Sequence, residues 1–225
     1  EQRLLAEGVA TADVLKAIVD EEHAVLVKAY DDRATATTPH APHIEFDLFT
    51  QVQTAVSLEE LQHIAAAVTS VPSTFAIHAK VKAEAEKRKH SFDDGNVQWG
   101  MAEALAFGSL LREDHLVRIT GQDSGRGTFN HRQAVHRDIT NDSRHIPLNE
   151  IDAPQQLHIY DSPLSEYAVL GYEYGYSTIA KSGLTIWEAQ FGDFANGAQI
   201  VFDQFISSAE EKWGQRSNVT MLLPH

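Results

Sequence analysis

Short apolar segments alternate with longer helical patterns in the second half of the chain, and this alternation limits the possible folds more than any other feature. Strand-like segments occupy residues 115–120, 157–160, 184–189 and 218–223, with helical patterns at 164–178 and 195–212. Strands that are separated by helices pair in parallel, and helices then cover both faces of the sheet. The sequence therefore predicts an α/β fold with a parallel sheet, whose ligands bind beyond the carboxyl ends of the strands.

The preceding part of the chain is predicted to be almost entirely helical. Thr11 is a predicted N-cap, and Ser57 with Glu60 forms a capping box. Helical patterns cover residues 1–33, 57–70 and 80–90, residues 34–42 form a linker, and a further helix is capped by Asn96 and has Trp99, Ala102, Ala106 and Leu110 on one face. We therefore expect a helical connector over residues 1–90, followed by an α/β domain over residues 91–225.

The composition excludes several classes of protein. The 225 residues carry a formal net charge of −14, which argues against binding to nucleic acid or to an anionic membrane surface. The sequence contains no cysteine, so disulfides and thiolate metal sites are excluded. No apolar run reaches the roughly 18 residues of a membrane span. Because the chain stops just after a strand-like segment, we interpret it as a fragment of a longer polypeptide, truncated at the C-terminal end of the α/β domain.

Two phenylalanines, Phe191 and Phe194, lie in the loop after the strand-like segment at 184–189, next to Gln190. Loops at this edge of an α/β sheet often carry binding residues. Exposed aromatic rings are favourable where a flat apolar group covers them, whereas aromatics after a strand also belong to hydrophobic cores. The residue types alone leave both interpretations open.

Glu166 lies in the first turn of the helical pattern at 164–178. A carboxylate in this position interacts favourably with the positive end of the helix dipole, and that interpretation needs no ligand. The alternative is a partly desolvated carboxylate at the edge of the sheet that shares a proton with a bound ring. Spacing alone favours the first interpretation.

The long segment after the first strand contains glycines, histidines and arginines. Residues 121–127 look like a phosphate-binding loop but match neither the Walker pattern nor G-x-G-x-x-G, so a flexible loop with unusual backbone angles is the favoured interpretation. Five imidazoles and carboxylates fit no zinc spacing, so we predict a solvated polar loop and no metal site: His131, His136, Asp138, Asp142 and His145. A set of cationic side chains could instead receive an acidic substrate: Arg126, His131, Arg132 and Arg137.

Several long motifs carry a specific resemblance. They are NVQWGMAEALA at 96–106, GQDSGRGTF at 121–129 followed by His131 and Arg132, DSPLSEYAVLGYEYGY at 161–176, TIWEAQFGDFANGAQ at 185–199, DQFISS at 203–208, KWG at 212–214 and LLPH at 222–225. Together they resemble the thiamine-diphosphate-dependent 2-oxoglutarate dehydrogenase component, in its transketolase-like pyrimidine-binding domain. The resemblance extends more loosely over residues 1–90, which resemble the segment linking the family's two cofactor-handling domains. Gln133 departs from the family, where many members carry histidine in a His-Arg-His run.

The resemblance implies roles for particular residues. Glu166 matches the glutamate that bonds to the aminopyrimidine ring nitrogen of thiamine diphosphate, and Leu164 matches an apolar residue that supports the ring. Gln190, Phe191 and Phe194 fall in the segment that supplies the stacking aromatic, with Phe194 the favoured ring. In this family another domain holds the diphosphate and Mg²⁺ through a Gly-Asp-Gly motif. That motif does not occur in this sequence, so no metal ligand is expected here.

The resemblance also implies an activity. It is the oxidative decarboxylation of 2-oxoglutarate, with transfer of the succinyl group to a lipoyl group on a partner succinyltransferase. The full-length enzyme would be a homodimer in the bacterial cytoplasm, or in the mitochondrial matrix of a eukaryote, and the fragment alone is expected to be inactive. The alternatives are a relative that acts on 2-oxoadipate, a non-catalytic interaction or oligomerisation module, and an unrelated nucleotide-binding α/β domain. The lack of a phosphate-binding motif argues against the last.

Overall fold

A computed structural model of the protein describes residues 1–35, 49–180 and 182–225. The chain divides into two compact units, Glu1–His40 and Ala41–His225. In the first unit, Gly8 adopts a left-handed conformation (φ 67°) and separates helix α1 (Gln2–Ala6) from helix α2 (Ala12–Asp32), where a single helix was predicted. The Thr11 hydroxyl accepts a hydrogen bond from the Val14 N–H at 3.3 Å, which confirms the predicted N-cap. Most of the predicted linker at 34–42 lies outside the described residues.

A parallel sheet forms the centre of the second unit. Its strands are β1 (Val117–Gly121), β4 (Leu157–Asp161), β5 (Leu184–Glu188) and β6 (Val219–Leu222), and their order in the sheet is β4-β1-β5-β6. All neighbouring pairs are parallel, with Val117 opposite both Leu157 and Leu184. Between β1 and β4 the chain forms a small antiparallel ladder, β2 (His136–Arg137) and β3 (Arg144–His145), which the sequence pattern did not predict.

Helices surround the sheet, and several of their bounds differ from the predicted ones. They are α3 (Leu58–Val68), α4 (Ala79–Asp93), α5 (Trp99–Arg112), α6 (Glu166–Ile179), α7 (Gln199–Val201) and α8 (Ala209–Trp213), with 3-10 turns at Pro147–Glu150 and Gly192–Ala198 and a π-helical turn at Phe202–Ile206. The helix predicted at 195–212 is therefore a series of short helical segments. Helix α6 begins at Glu166, two residues later than predicted, because Ser165 is its N-cap and its hydroxyl accepts a hydrogen bond from the Ala168 N–H.

Buried side chains lie on both faces of the sheet, which confirms the predicted α/β fold. On one face, α3, α5 and the turn at Pro147–Glu150 cover Val117, Ile119, Leu157, Ile159 and Ile186. On the other face, α6 and α7 cover Trp187 through Val169, Leu170 and Val201. Adjacent residues of one strand point to opposite faces, so Ile186 and Trp187 belong to different cores.

Helix α5 presents a different face to the core from the predicted one. Trp99 is 75% exposed and Ala102 and Ala106 are exposed, while Met101 and Leu105 are buried. Two glycines allow other segments to pack closely against this buried face. A methyl group on Gly108 would lie 2.4 Å from Ile64 Cγ2, and one on Gly100 would lie 1.8 Å from the carbonyl oxygen of His131. The N-cap position is Gln98 rather than Asn96.

The sheet and the helices before it belong to the same compact unit. Helices α3 and α4 both lie within Ala41–His225, and Ile64 of α3 is in the core beneath the sheet. The boundary predicted at residue 90 stays a prediction. In the described parts of the chain, every helix is too short or too polar to cross a membrane.

Candidate functional site

Glu166 stands at the edge of the sheet, in the first turn of α6 and beyond the carboxyl end of β4. Its side chain is almost buried, with 9% of the residue exposed. Oε1 accepts a hydrogen bond from the backbone N–H of Gln190 at 3.1 Å. Oε2 is buried and has no hydrogen-bond partner among the residues that the structure describes. A buried carboxylate oxygen without a donor is costly, so a ligand donor at this position would stabilise the site.

Gln190 connects the Glu166 carboxylate to residues 121–127, which we call the glycine-bearing loop. Its side-chain amide donates a hydrogen bond to Asp123 Oδ2, while its own Oε1 is buried without a partner among the described residues. Asp123 is held in turn by Arg126 at 3.0 Å. Gln190 was predicted as a cofactor-binding residue. In the structure its backbone N–H binds Glu166, its amide group binds Asp123, and its predicted role stays a prediction.

Four rings form an aromatic cluster next to this carboxylate, and we use that name for Phe129, Phe191, Phe194 and His225. Phe191 lies at its centre, with ring centroids 5.7 Å from Phe129, 6.0 Å from Phe194 and 5.7 Å from His225, all close to perpendicular. Phe129 and His225 are stacked at 6.1 Å. Phe194 is 46% and Phe129 48% exposed, so more than one ring of the cluster is available to cover a flat ligand.

Sequence analysis missed Phe129 and His225 as candidate site residues. Both occur in quoted motifs, as the last letters of GQDSGRGTF and LLPH, but motif membership alone did not indicate that their rings meet Phe191. Leu164, which was predicted to support the cofactor ring, lies in the turn that leads to Glu166 and is 51% exposed. Its carbonyl oxygen accepts a hydrogen bond from the Gln122 amide at 3.4 Å. The structure thus brings the loop before α6 and the glycine-bearing loop together.

An ion-pair network lies under the candidate site and includes Arg132, which is 3% exposed. Arg132 donates to both oxygens of Glu188 at 2.7 Å and to both oxygens of Glu103 at 2.6 and 3.0 Å, and also to the carbonyl oxygen of Ser124 at 2.9 Å. Burial alone would lower the pKa of Arg132, but its hydrogen bonds to the two carboxylates and their negative charges outweigh burial and raise that pKa. These bonds use all five of its N–H groups.

Because all N–H groups of Arg132 are occupied, one hypothesis drawn from the sequence is wrong for this residue. Arg132 was grouped with Arg126, Arg137 and His131 as a possible receptor for an acidic substrate. Its guanidinium group already binds two carboxylates and has no free N–H group for a substrate. Through Ser124 and Glu188 it instead holds the glycine-bearing loop against the end of β5. The pKa of His131 is lowered by burial and by the neighbouring Arg132 charge, which favours the neutral imidazole.

The histidine-rich segment is not the solvated loop that was predicted. His136, His145 and Asp138 are buried, and the two imidazole rings lie 6.0 Å apart in the β2–β3 ladder. Asp138 accepts hydrogen bonds from Thr140 and from the Ala76 N–H, which lower its pKa. Across residues 1–35, 49–180 and 182–225, His, Asp and Glu side chains form no group of three that could hold a metal ion.

The site and fold correspond to a known class of cofactor-binding domain. The sequence model described as "Transketolase, pyrimidine binding domain" matches residues 95–225, and the chain belongs to this family. The match spans β1, β4, β5 and β6 and the loop of Gln190, whose N–H binds Glu166. It supports the resemblance that the sequence motifs indicated.

The similar proteins all carry the name of one enzyme component. The chain is 40% identical over 233 residues to the "2-oxoglutarate dehydrogenase E1 component" of Shouchella clausii, covering 100% of this chain and 24% of that protein. A protein of the same name from Exiguobacterium is 41% identical and matches 99% of the chain and 24% of its own length. The one from Rickettsia felis is 49% identical over 174 residues, which are 76% of this chain and 18% of that protein. The chain thus spans about a quarter of the length of the curated relatives it matches.

Proposed function

We propose that this domain binds the aminopyrimidine ring of thiamine diphosphate, with Glu166 as the partner of a ring nitrogen. The observation that carries the proposal is the Oε2 atom of Glu166, which is buried and lacks a partner among the described residues. A ring N–H that donates to this oxygen would satisfy it. Phe191 of the aromatic cluster directly follows Gln190, whose N–H binds this carboxylate, and Phe194 offers an exposed ring for stacking on the pyrimidine.

The residues of this chain would then act in three ways. Glu166 accepts a hydrogen bond from the ring nitrogen through Oε2 and shares a proton with it, while the Gln190 N–H fixes Oε1. Phe191 and Phe194 orient the ring and exclude water. Leu164 gives apolar support from the turn before α6. When bound, thiamine diphosphate supplies the electron sink for loss of carbon dioxide from a 2-oxo acid.

We extend the proposal to the activity named in the relatives. The full-length protein would decarboxylate 2-oxoglutarate oxidatively and transfer the succinyl group to the lipoyl carrier of a succinyltransferase partner, in the cytoplasm of a bacterial cell. Mg²⁺ and the diphosphate would be held by another domain, since the Gly-Asp-Gly motif does not occur in this sequence. The names of the relatives and the family match at residues 95–225 support this extension.

A homodimer is part of the same proposal, and the exposed side of α6 supports it. A methyl group on Gly171 or Gly175 would meet no atom within 4 Å, and on the same side Tyr172 is 61% and Ile179 is 83% exposed. Residues spaced three and four apart share one helix face. Small residues there allow a second helix to approach closely, and the flanking apolar side chains favour burial.

Replacement of Glu166 tests the cofactor role. In the full-length protein, Glu166→Ala is expected to lower the decarboxylation rate of 2-oxoglutarate by about 100-fold to 10,000-fold, the usual contribution of a positioned acid–base group. Glu211→Ala, an exposed glutamate in α8, is the matched control and should keep full activity. Circular dichroism checks that both variants fold. A folded Glu166→Ala protein with normal activity would remove Glu166 from the mechanism.

The substrate and acceptor need separate measurements. Comparison of kcat/KM for 2-oxoglutarate and 2-oxoadipate distinguishes the proposed substrate from the closest alternative. Mass spectrometry of a lipoyl domain after incubation with enzyme and substrate is expected to show succinylation. Decarboxylation without acyl transfer would leave the Glu166 proposal intact but contradict the proposed acceptor.

A further inference from the structure

Three arginines line one cleft beside the carboxyl ends of β1 and β4. The cleft has a volume of about 380 Å³, and its walls include Arg126, Arg137, Arg144, Tyr160, Asp123 and Asp161. The three guanidinium groups thus share the cleft with the carboxylates of Asp123 and Asp161. Glu166 and Phe194 do not line this cleft, but Asp123, which accepts the Gln190 amide, does.

Two of the arginines are held by exposed ion pairs and by one long hydrogen bond each, from Arg126 to Asn130 Oδ1 at 3.3 Å and from Arg137 to the Asp142 carbonyl oxygen at 3.4 Å. Arg126 lies 3.0 Å from Asp123, and Arg137 lies 3.2 Å from Asp142, whose side chain is 81% exposed. Ion pairs between exposed side chains contribute only about 0–1 kcal/mol, so a multivalent anion can compete for these guanidinium groups.

The third arginine has no acidic partner among the described residues. Arg144 makes one long hydrogen bond, 3.4 Å, to the carbonyl oxygen of Ile159, and no described carboxylate lies within 4.0 Å of it. Asp161 is already engaged, since Oδ1 accepts a hydrogen bond from the Gly125 N–H at 2.8 Å. Most of the N–H donors of Arg144 are therefore available to a ligand.

We propose that this cleft binds a small phosphate monoester. A phosphate monoester has a charge near −2 and three terminal oxygens, so it can accept from three guanidinium groups, whereas a carboxylate offers two oxygens and one charge. The volume falls within the roughly 300–1,000 Å³ of small-molecule sites. This assignment does not depend on the proposed cofactor role.

Equilibrium dialysis with radiolabelled inorganic phosphate tests the cleft in the full-length protein. Chloride keeps the ionic strength constant, because weak anion binding is sensitive to screening. The double variant Arg137→Gln/Arg144→Gln is expected to lose one saturable site or bind there at least tenfold more weakly than the wild type. Arg216→Gln, which breaks an ion pair elsewhere on the second unit, is the control and should bind like the wild type. Phosphate sites outside the cleft contribute equally to all three proteins.

The possible outcomes separate the proposal from its competitors. Identical phosphate binding by the wild type and the double variant, or no saturable binding by the wild type, would overturn the proposal. Displacement of phosphate from the cleft by an equal concentration of succinate would make it a carboxylate site and would also overturn the assignment. The arginines are exposed, so their replacement should not alter folding, and thermal unfolding of each variant checks this.

Discussion

The carboxylate of Glu166 is positioned by contacts from residues that are distant in sequence. The Gln190 N–H that binds it is 24 positions away, and the Asp123 carboxylate that holds the Gln190 amide is 67 positions from Gln190. The family resemblance pointed to Glu166 and to the loop of Gln190, but no local pattern indicates which donor meets which oxygen. Such pairings depend on the tertiary fold, and sequence reasoning could not supply them.

Asp123 is predicted to position the cofactor site through Gln190. Asp123→Ala removes the acceptor for the Gln190 amide, so the Gln190 backbone should hold Glu166 less firmly. Loss of a hydrogen bond to a charged group costs about 1.5–3 kcal/mol, and we expect the Kd for thiamine diphosphate to rise by about tenfold in the full-length protein. Calorimetric titration in the presence of Mg²⁺ measures it.

The control for this prediction is Asp152→Ala. Asp152 is also an exposed aspartate of the second unit, but its carboxylate has no contact with Gln190 or Glu166. Its replacement should leave the cofactor affinity unchanged. Equal affinities for the wild type and both variants would show that Glu166 does not depend on Asp123.

At the scale of elements, strong apolar periodicity was sufficient to predict helices and strands, and weak periodicity was not. The four strands of the parallel sheet and helix α6 follow from apolar spacing. The β2–β3 ladder was missed because two-residue strands show no period, and its histidines were assigned to solvent although they are buried. The core face of α5 was misjudged, because the close approach of Gly100 and Gly108 to other segments determines it. Both failures concern contacts between segments.

The β2–β3 ladder is predicted to make the stability of the protein depend on pH. Burial, aided by the charge of His145 and of Arg88, lowers the pKa of His136 from 6.5 to about 4, although a hydrogen bond with the Gln133 backbone opposes the shift. The unfolded chain therefore takes up a proton at a higher pH than the folded one. The contribution of neutral, buried His136 to the free energy of unfolding is therefore complete above about pH 6.5. It falls as the pH decreases and is lost by about pH 4.

Urea unfolding at several pH values checks this expectation. Between pH 8 and pH 5, the His136 term should lower the free energy of unfolding by about 2 kcal/mol. His136→Leu should reduce the pH dependence by that amount. His63→Leu, which replaces an exposed histidine of α3, should retain the wild-type dependence. A His136→Leu protein with the wild-type dependence would show that another group is responsible.

At the scale of the whole molecule, the proposed site would form one wall of a cofactor cleft. The described residues supply a carboxylate and aromatic rings, while the proposed diphosphate and Mg²⁺ ligands lie in another domain. The chain spans about a quarter of its relatives' length, so the proposed activity is that of a full-length protein in its proposed dimer. In such an assembly, an interface that brings a second copy close to α6 would influence the cofactor site, because Glu166 is the first residue of that helix.

The glycines on the exposed side of α6 are predicted to control dimerisation of the full-length protein. Gly171→Leu places a branched side chain where the helices of two copies would approach, so it should separate them and raise the dimer dissociation constant by at least about 100-fold, or about 3 kcal/mol. Sedimentation equilibrium measures the constant. Ala102→Leu, on the exposed face of α5, adds a similar side chain on another helix and should leave the dimer intact. A monomeric wild type, or a Gly171→Leu protein as dimeric as the wild type, would exclude this face of α6 as the interface.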